Sequence, residues 1–150
     1  MEETPLYNTA IIKSFAEYIS NCHPWLDMMP ILDYAGITIY QLEDEGHWLT
    51  QTQVDRFYEI LAKTVGDTDL ARKAGQYAPF SKAAGNVSQY ILGFVTPSAA
   101  YTALSKYYPH ATKGSSLETR KVGSNKVEVV AIQNPDVNEK PYQCENRLGT

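Results

Sequence analysis

The periodicity of the apolar residues changes character at Pro109. Before it they recur every three or four positions, the spacing that gathers side chains on one stripe of an α-helix. After it come two β-branched runs, Leu117 to Val122 and Lys126 to Ile132, separated by Gly123-Ser124-Asn125. A chain with this switch is expected to build a helical body and then a β-hairpin. A lone hairpin is marginal in water, so it needs a helical face or further strands, and none is evident before Thr150. The expected class is therefore α+β, predominantly helical, with roughly five to six helices ahead of the hairpin and a chain truncated at its C-terminal end.

Local signals punctuate the helical part, about residues 8–108. Asn8 can cap a helix whose stripe is Ile11, Ile12, Phe15, Tyr18 and Ile19, and His23-Pro24 stops it. Pro30 and Gly36 bracket a short second helix. Ile37 to Trp48 reads as a connector with one helical turn. Thr50 and Gln53 form a capping-box pattern ahead of Val54, Phe57, Tyr58, Leu61 and Val65, and Gly66 closes that helix. Asp67 can cap the next, which carries Leu70, Ala71, Ala74 and Tyr77 and stops before Pro79. A further helix is expected from Ser81 or Ala84 to Val95, and Thr96-Pro97 starts another that reaches Tyr107. The hairpin falls at about 116–133, and 134–150 reads as a polar loop and truncated tail. Residues 1–150 form one domain, as expected for this length.

Composition narrows the function classes. With 20% charged residues and a formal net charge of -4, the chain lacks the clustered positive charge of nucleic-acid binders, so direct nucleic-acid contact is not expected. No apolar run approaches the ~18 residues of a membrane span, and Met1 leads into Glu2 and Glu3 instead of a signal peptide. A cytoplasmic segment without membrane insertion is the expectation.

The search for chemistry is mostly negative. His23, His47 and His110 sit in no metal-ligand spacing, and no metal is expected. Cys22 and Cys144 have no CxxC-type spacing. Cys22 beside His23, and the Glu43-Asp44-Glu45-Gly46-His47 cluster, are the residues a small thiol or hydrolytic enzyme would use. Ordinary helix-end and loop roles account for both more simply. No phosphate-cradling glycine motif occurs, so no catalytic residue is assigned and no cofactor is named. The 11 tyrosines and 2 tryptophans are the unusual feature. Such side chains join an apolar ring to a polar group, which suits a pocket as well as a core. Tyr34, Trp48, Tyr90, Phe94 and Tyr101 are the expected lining of a ligand site, with core packing as the competing role at each.

Several stretches share a rhythm with a known family. They are Tyr34-Ala35-Gly36-Ile37, Leu49-Thr50-Gln51-Thr52-Gln53-Val54, Val65-Gly66-Asp67-Thr68-Asp69-Leu70-Ala71, and Gly93 with Thr96-Pro97-Ser98-Ala99-Ala100-Tyr101. Through them Leu32 to Tyr108, about half the chain, resembles the N-terminal ligand-sensing region of AraC-type bacterial transcription regulators. The hairpin and Glu139-Lys140-Pro141-Tyr142-Gln143-Cys144-Glu145-Asn146-Arg147-Leu148-Gly149 look like sensory segments of bacterial multidomain signalling proteins. Two-component histidine kinases with a vinyl-reductase-like sensor region are the nearest pattern. The resemblance implies a non-catalytic input domain that binds a small molecule or a partner and regulates an output domain in cis, with a kinase activity belonging to the longer protein. A protein-interaction or homodimerisation module of a transcription regulator is the alternative.

Overall fold

The computed structural model describes residues 2–82 and 96–149. The helix expected between Ser81 and Val95 falls largely outside them, as do Tyr90 and Phe94. Within the described residues the chain is mixed α+β and predominantly helical, with two small antiparallel strand pairs.

Helix α1 (Thr9–Cys22) starts where the Asn8 side chain accepts the Ala10 N–H at 2.9 Å, and it buries Ile12, Phe15, Tyr18 and Ile19. Helix α2 (Met29–Ala35) has Pro30 in its first turn and ends at Gly36, whose φ of 69° lies in the left-handed region that glycine enters without strain. The connector after it holds a true helix, α3 (Ile39–Glu43), opened by a capping box between Thr38 and Gln41. Helix α4 (Gln51–Val65) has the same device, with Thr50 Oγ1 accepting the Gln53 N–H and Gln53 Oε1 accepting the Thr50 N–H. The Gln53 amide also donates to the Gly36 carbonyl at 2.8 Å, so one side chain caps α4 and fastens it to the end of α2. Thr50→Ala should therefore cost about 1 kcal/mol of stability, read as a shift of the urea midpoint without a change in slope.

Helix α5 (Leu70–Tyr77) begins at Asp69, two residues beyond the expected cap. Asp67 instead accepts the Asp69 N–H and pairs with Lys73, turning the chain into the helix. A 3-10 turn (Ala78–Phe80) follows α5. Helix α6 (Pro97–Tyr107) opens with the expected Thr96 cap, its hydroxyl accepting the Ala99 N–H, and a second 3-10 turn (Tyr108–His110) ends it.

The core joins α1, α2, α4 and α5 through Ile12, Ile19, Leu32, Phe57, Leu61 and Leu70, with Leu49 beneath them. Phe15 meets Phe57 edge-on, ring centroids 6.2 Å apart. Two features link this body to the second half of the chain. Strands β1 (Tyr7–Asn8) and β2 (Trp48–Leu49) pair antiparallel, and Tyr7 also bridges Thr112 on its other side. Backbone bonds from Asn8 to Ala111 and from Lys113 to Leu6 complete the lacing, so the start of the chain is stitched between the helical body and the foot of the hairpin.

The hairpin pairs β3 (Ser115–Lys121) with β4 (Val127–Gln133) over seven residues without a bulge. Helix α6 lies against β3, which supplies the helical face that the sequence requires. A last helix, α7 (Pro141–Gly149), lies in the stretch read from the sequence as a polar loop and truncated tail, and it packs along α5. Pro141 occupies its first position, and Gln143 reaches back to accept the Lys140 N–H at 2.8 Å.

Candidate functional site

Two structures stand out among the described residues: an exposed β-ribbon, and a buried polar cluster that ties its foot to α7. In β4, Glu128, Val129, Ala131, Ile132 and Gln133 are exposed and Val127 and Val130 half-buried, although most of the strand is β-branched. Val129 and Ile132 keep 40% and 41% of their surface in solvent, where apolar side chains of a finished sheet would be covered.

The foot of the ribbon is organised by Arg147 of α7. Its guanidinium meets both oxygens of Glu139 at 2.9 and 3.0 Å, the Ser115 hydroxyl at 2.9 Å and the Tyr108 hydroxyl at 2.8 Å. Arg147 and Glu139 retain only 18% and 8% of their side-chain exposure. An arginine fork can satisfy four acceptors from one fixed plane, which a lysine ammonium cannot. One side chain thus joins α7, the loop before it, the end of α6 and the first residue of β3.

One turn earlier on α7, Tyr142 stacks on Tyr58 of α4 with centroids 4.0 Å apart, and its hydroxyl donates to Asp55 at 2.9 Å. Asp55 also accepts from the Gln51 amide, which donates to Gln143 as well, and the Tyr7 hydroxyl donates to Gln51. Tyr142 and Asn146 are four residues apart and so share a face of α7, where Asn146 donates to the Ala71 carbonyl of α5. Gly114 sits against Tyr7 so closely that a Cβ there would lie 2.7 Å from the tyrosine oxygen. Polar pairs and rings together dock the last helix.

Burial pushes the Tyr7 hydroxyl up to about 12, with Glu139 and Asp55 adding to the rise and Gln143 opposing it. Tyr142 is held higher still, first by burial and then by the Asp55 carboxylate it donates to. A phenol whose folded pKa exceeds its unfolded value of about 10 contributes stability that is complete below pH 10 and is lost as pH rises through the folded pKa. Stability should therefore fall from about pH 10 upward, with Tyr7 contributing until about pH 12 and Tyr142 beyond it, and tyrosinate absorbance should rise together with loss of helical circular dichroism. In Tyr7→Phe the part of that fall owed to Tyr7 should vanish.

The expected ligand-site aromatics are placed differently from one another. Tyr34 is 49% exposed on α2 and Tyr101 44% exposed on α6. Trp48 is half-buried in β2 with the Lys113 ammonium 4.5 Å from its ring centre, a cation–π contact. No ring contact among the described residues joins these three, and Tyr90 and Phe94 lie outside those residues. A recess of about 30 Å³ lined by Thr9, Ala10, Lys13, Leu42, Glu45 and Lys82 has room for a water or two, well short of the several hundred Å³ of a metabolite site.

The other candidates have local roles. Cys22 and Cys144 are exposed free thiols on α1 and α7. Glu43 pairs with Lys13, Asp44 accepts the Gly46 N–H, and the Glu45 and His47 carbonyls accept the Asn8 amide. The acid-rich loop thereby closes the start of α1. Among the described residues no cluster of His, Cys, Asp and Glu could hold a metal, and no helix is long and apolar enough to cross a membrane.

Sequence reasoning passed over Tyr7, Asp55, Glu139, Tyr142 and Arg147. The run Glu139-Lys140-Pro141-Tyr142-Gln143 carries a signal that could have placed Tyr142 on a helix, since Pro at the first helical position and Gln at the third mark a helix start. The fold and this arrangement define a mixed α+β domain with an exposed ribbon coupled to its last helix. The chain matches no protein-family model and no curated protein.

Proposed function

We propose that this chain is a non-catalytic signal-input domain of the bacterial, cytoplasmic kind, and that its input is a protein partner engaged along the hairpin. The observation that carries the reading is the shared foot. Ser115 opens β3, and its hydroxyl takes a hydrogen bond from Arg147 of α7, so a change in the strand's position alters the partners of the arginine that docks that helix. A partner that binds one arrangement of ribbon and helix more tightly than another shifts their populations. An output domain joined in cis, as in sensor histidine kinases, would read that shift at α7. The resemblance of Leu32–Tyr108 to ligand-sensing regions of transcription regulators agrees with a regulatory role.

The reading has two measurable consequences. In Ser115→Ala, amide hydrogen exchange should quicken in α7 as well as in the hairpin, and a change confined to the hairpin would remove the proposed coupling. In a thermal-shift screen against metabolites, aromatic acids, haem and common metal ions, the melting temperature should stay constant. A saturable rise with any of them would replace the partner by a small molecule.

A further inference from the structure

We propose that the partner engaged by the hairpin is a second copy of this chain, paired antiparallel through the outer edge of β4 about a two-fold axis at Val130. The inference rests on the reading of the ribbon as the input surface and names its occupant.

The ladder determines which backbone groups the edge offers. Val122 donates to the Lys126 carbonyl and Asn134 to the Gly114 carbonyl, so 122/126 and 114/134 are hydrogen-bonded pairs. Such pairs alternate along an antiparallel ladder, which places Glu128, Val130 and Ile132 in the bonded set facing β3. The N–H and C=O groups of Val127, Val129, Ala131 and Gln133 then point to the outer edge. Among the described residues β3 is the element that packs extensively on β4, while β3 also carries α6.

That set of outward groups is self-complementary. Setting two β4 strands antiparallel about Val130 brings Val127 opposite Gln133 and Val129 opposite Ala131, so all four outward residues fall in hydrogen-bonded pairs with their counterparts. Val130 meets Val130 in a pair without hydrogen bonds, where side chains approach closest and β-branched pairs are favourable. Glu128, the single charged residue of the strand, falls opposite Ile132. The two Glu128 carboxylates are then four positions apart along the strand, about 14 Å, which avoids direct repulsion. A shift by one residue would destroy the hydrogen-bonding phase.

The edges of the ribbon also differ in their protection. Exposed edges are normally blunted by lysine, proline or a bulge. β3 carries Arg120 and Lys121, whereas β4 has no Lys, Arg, Pro or Gly and runs without a bulge. Pairing β4 with its copy converts two marginal ribbons into one four-stranded sheet in the order β3, β4, β4, β3.

Sedimentation of the full chain over a wide concentration range is the first test, and a monomer–dimer equilibrium is expected. Val130→Lys places two ammonium groups against each other at the axis while facing Glu118 across its own hairpin. It should keep the wild-type circular dichroism and sediment as monomer where the wild type is dimeric. In a Cys22→Ser, Cys144→Ser background, Val130→Cys should form a disulfide-linked dimer under mild oxidation, because Cα atoms in such a pair lie about 4.5 Å apart. Glu128→Cys should not. A wild-type monomer at every concentration, or a dimer that survives Val130→Lys and resists the Val130→Cys link, overturns the inference. If quickened exchange in α7 of Ser115→Ala persists in that case, the coupled-ribbon reading stands with a different partner. If it is absent as well, both fail.

Discussion

Replacing Arg147 by alanine should destabilise the fold by about 3–5 kcal/mol, because it strands a carboxylate in a dry site. Glu139 keeps 8% of its side-chain exposure and takes two hydrogen bonds from the guanidinium. Without Arg147 that charge must be desolvated with no partner, and the Ser115 and Tyr108 hydroxyls, 3.0 Å apart, keep each other but lose the arginine donor. The urea midpoint measures the loss. The double variant Arg147→Met, Glu139→Gln should recover much of it, since removing both charges removes the penalty that removing one creates. Arg147→Lys should fall between, because one ammonium cannot reach both Tyr108, bound by Nε, and the Ser115 and Glu139 oxygens, bound by Nη2. Equal losses in the single and double variants would assign the cost to packing instead of to buried charge.

The second large effect belongs to the helical core. Phe57 is 1% exposed at the centre of α4, with the edge of one ring against the face of the other where it meets Phe15. Phe57→Ala should cost about 3–5 kcal/mol, the lost transfer energy plus the cavity left in the core beside Phe15. For a domain of this length the melting temperature should fall by roughly 6–20 °C, at about 2–4 °C per kcal/mol. Phe57→Leu keeps most of the volume and should cost much less. If Phe57→Ala instead leaves thermal unfolding near the wild-type temperature, the ring is not the keystone that its burial implies.

These two positions differ in how they could be read from the chain. Phe57 was legible, since it stands on the stripe Val54, Phe57, Tyr58, Leu61 and Val65 behind a capping box. Arg147 was not. Its partners lie 8, 32 and 39 residues away, and nothing in the spacing of Tyr108, Ser115 and Glu139 announces a meeting. The same contrast runs through the fold. Asn8, Thr50 with Gln53, Gly36, Gly66 and Thr96-Pro97 marked helix ends correctly, because caps satisfy backbone groups within a few residues. Thr38 and Gln41 carry the same local code for α3, but the stretch is too short to show an apolar stripe. Strands β1 and β2 are two residues each and pair Tyr7 with Leu49, below any periodicity a sequence can display.

The aromatic residues mark where composition stops being informative. A tyrosine suits a core, a pocket or a solvent-facing helix, and the choice depends on what packs beside it. Tyr142 lies buried on Tyr58, Trp48 lies under Lys113, and Tyr34 faces solvent.

By itself the amino-acid sequence determined the class of the molecule, most helix ends and the place of the hairpin, because propensity, capping and hydrophobic period act over a few residues at a time. Tertiary structure alone decided that α7 docks along α5, that Arg147 joins that helix to the ribbon, and that most of β4 stays exposed. Each of these depends on groups brought together from distant parts of the chain. Desolvation, buried charge pairing and strand exposure exist only once the chain has closed around them.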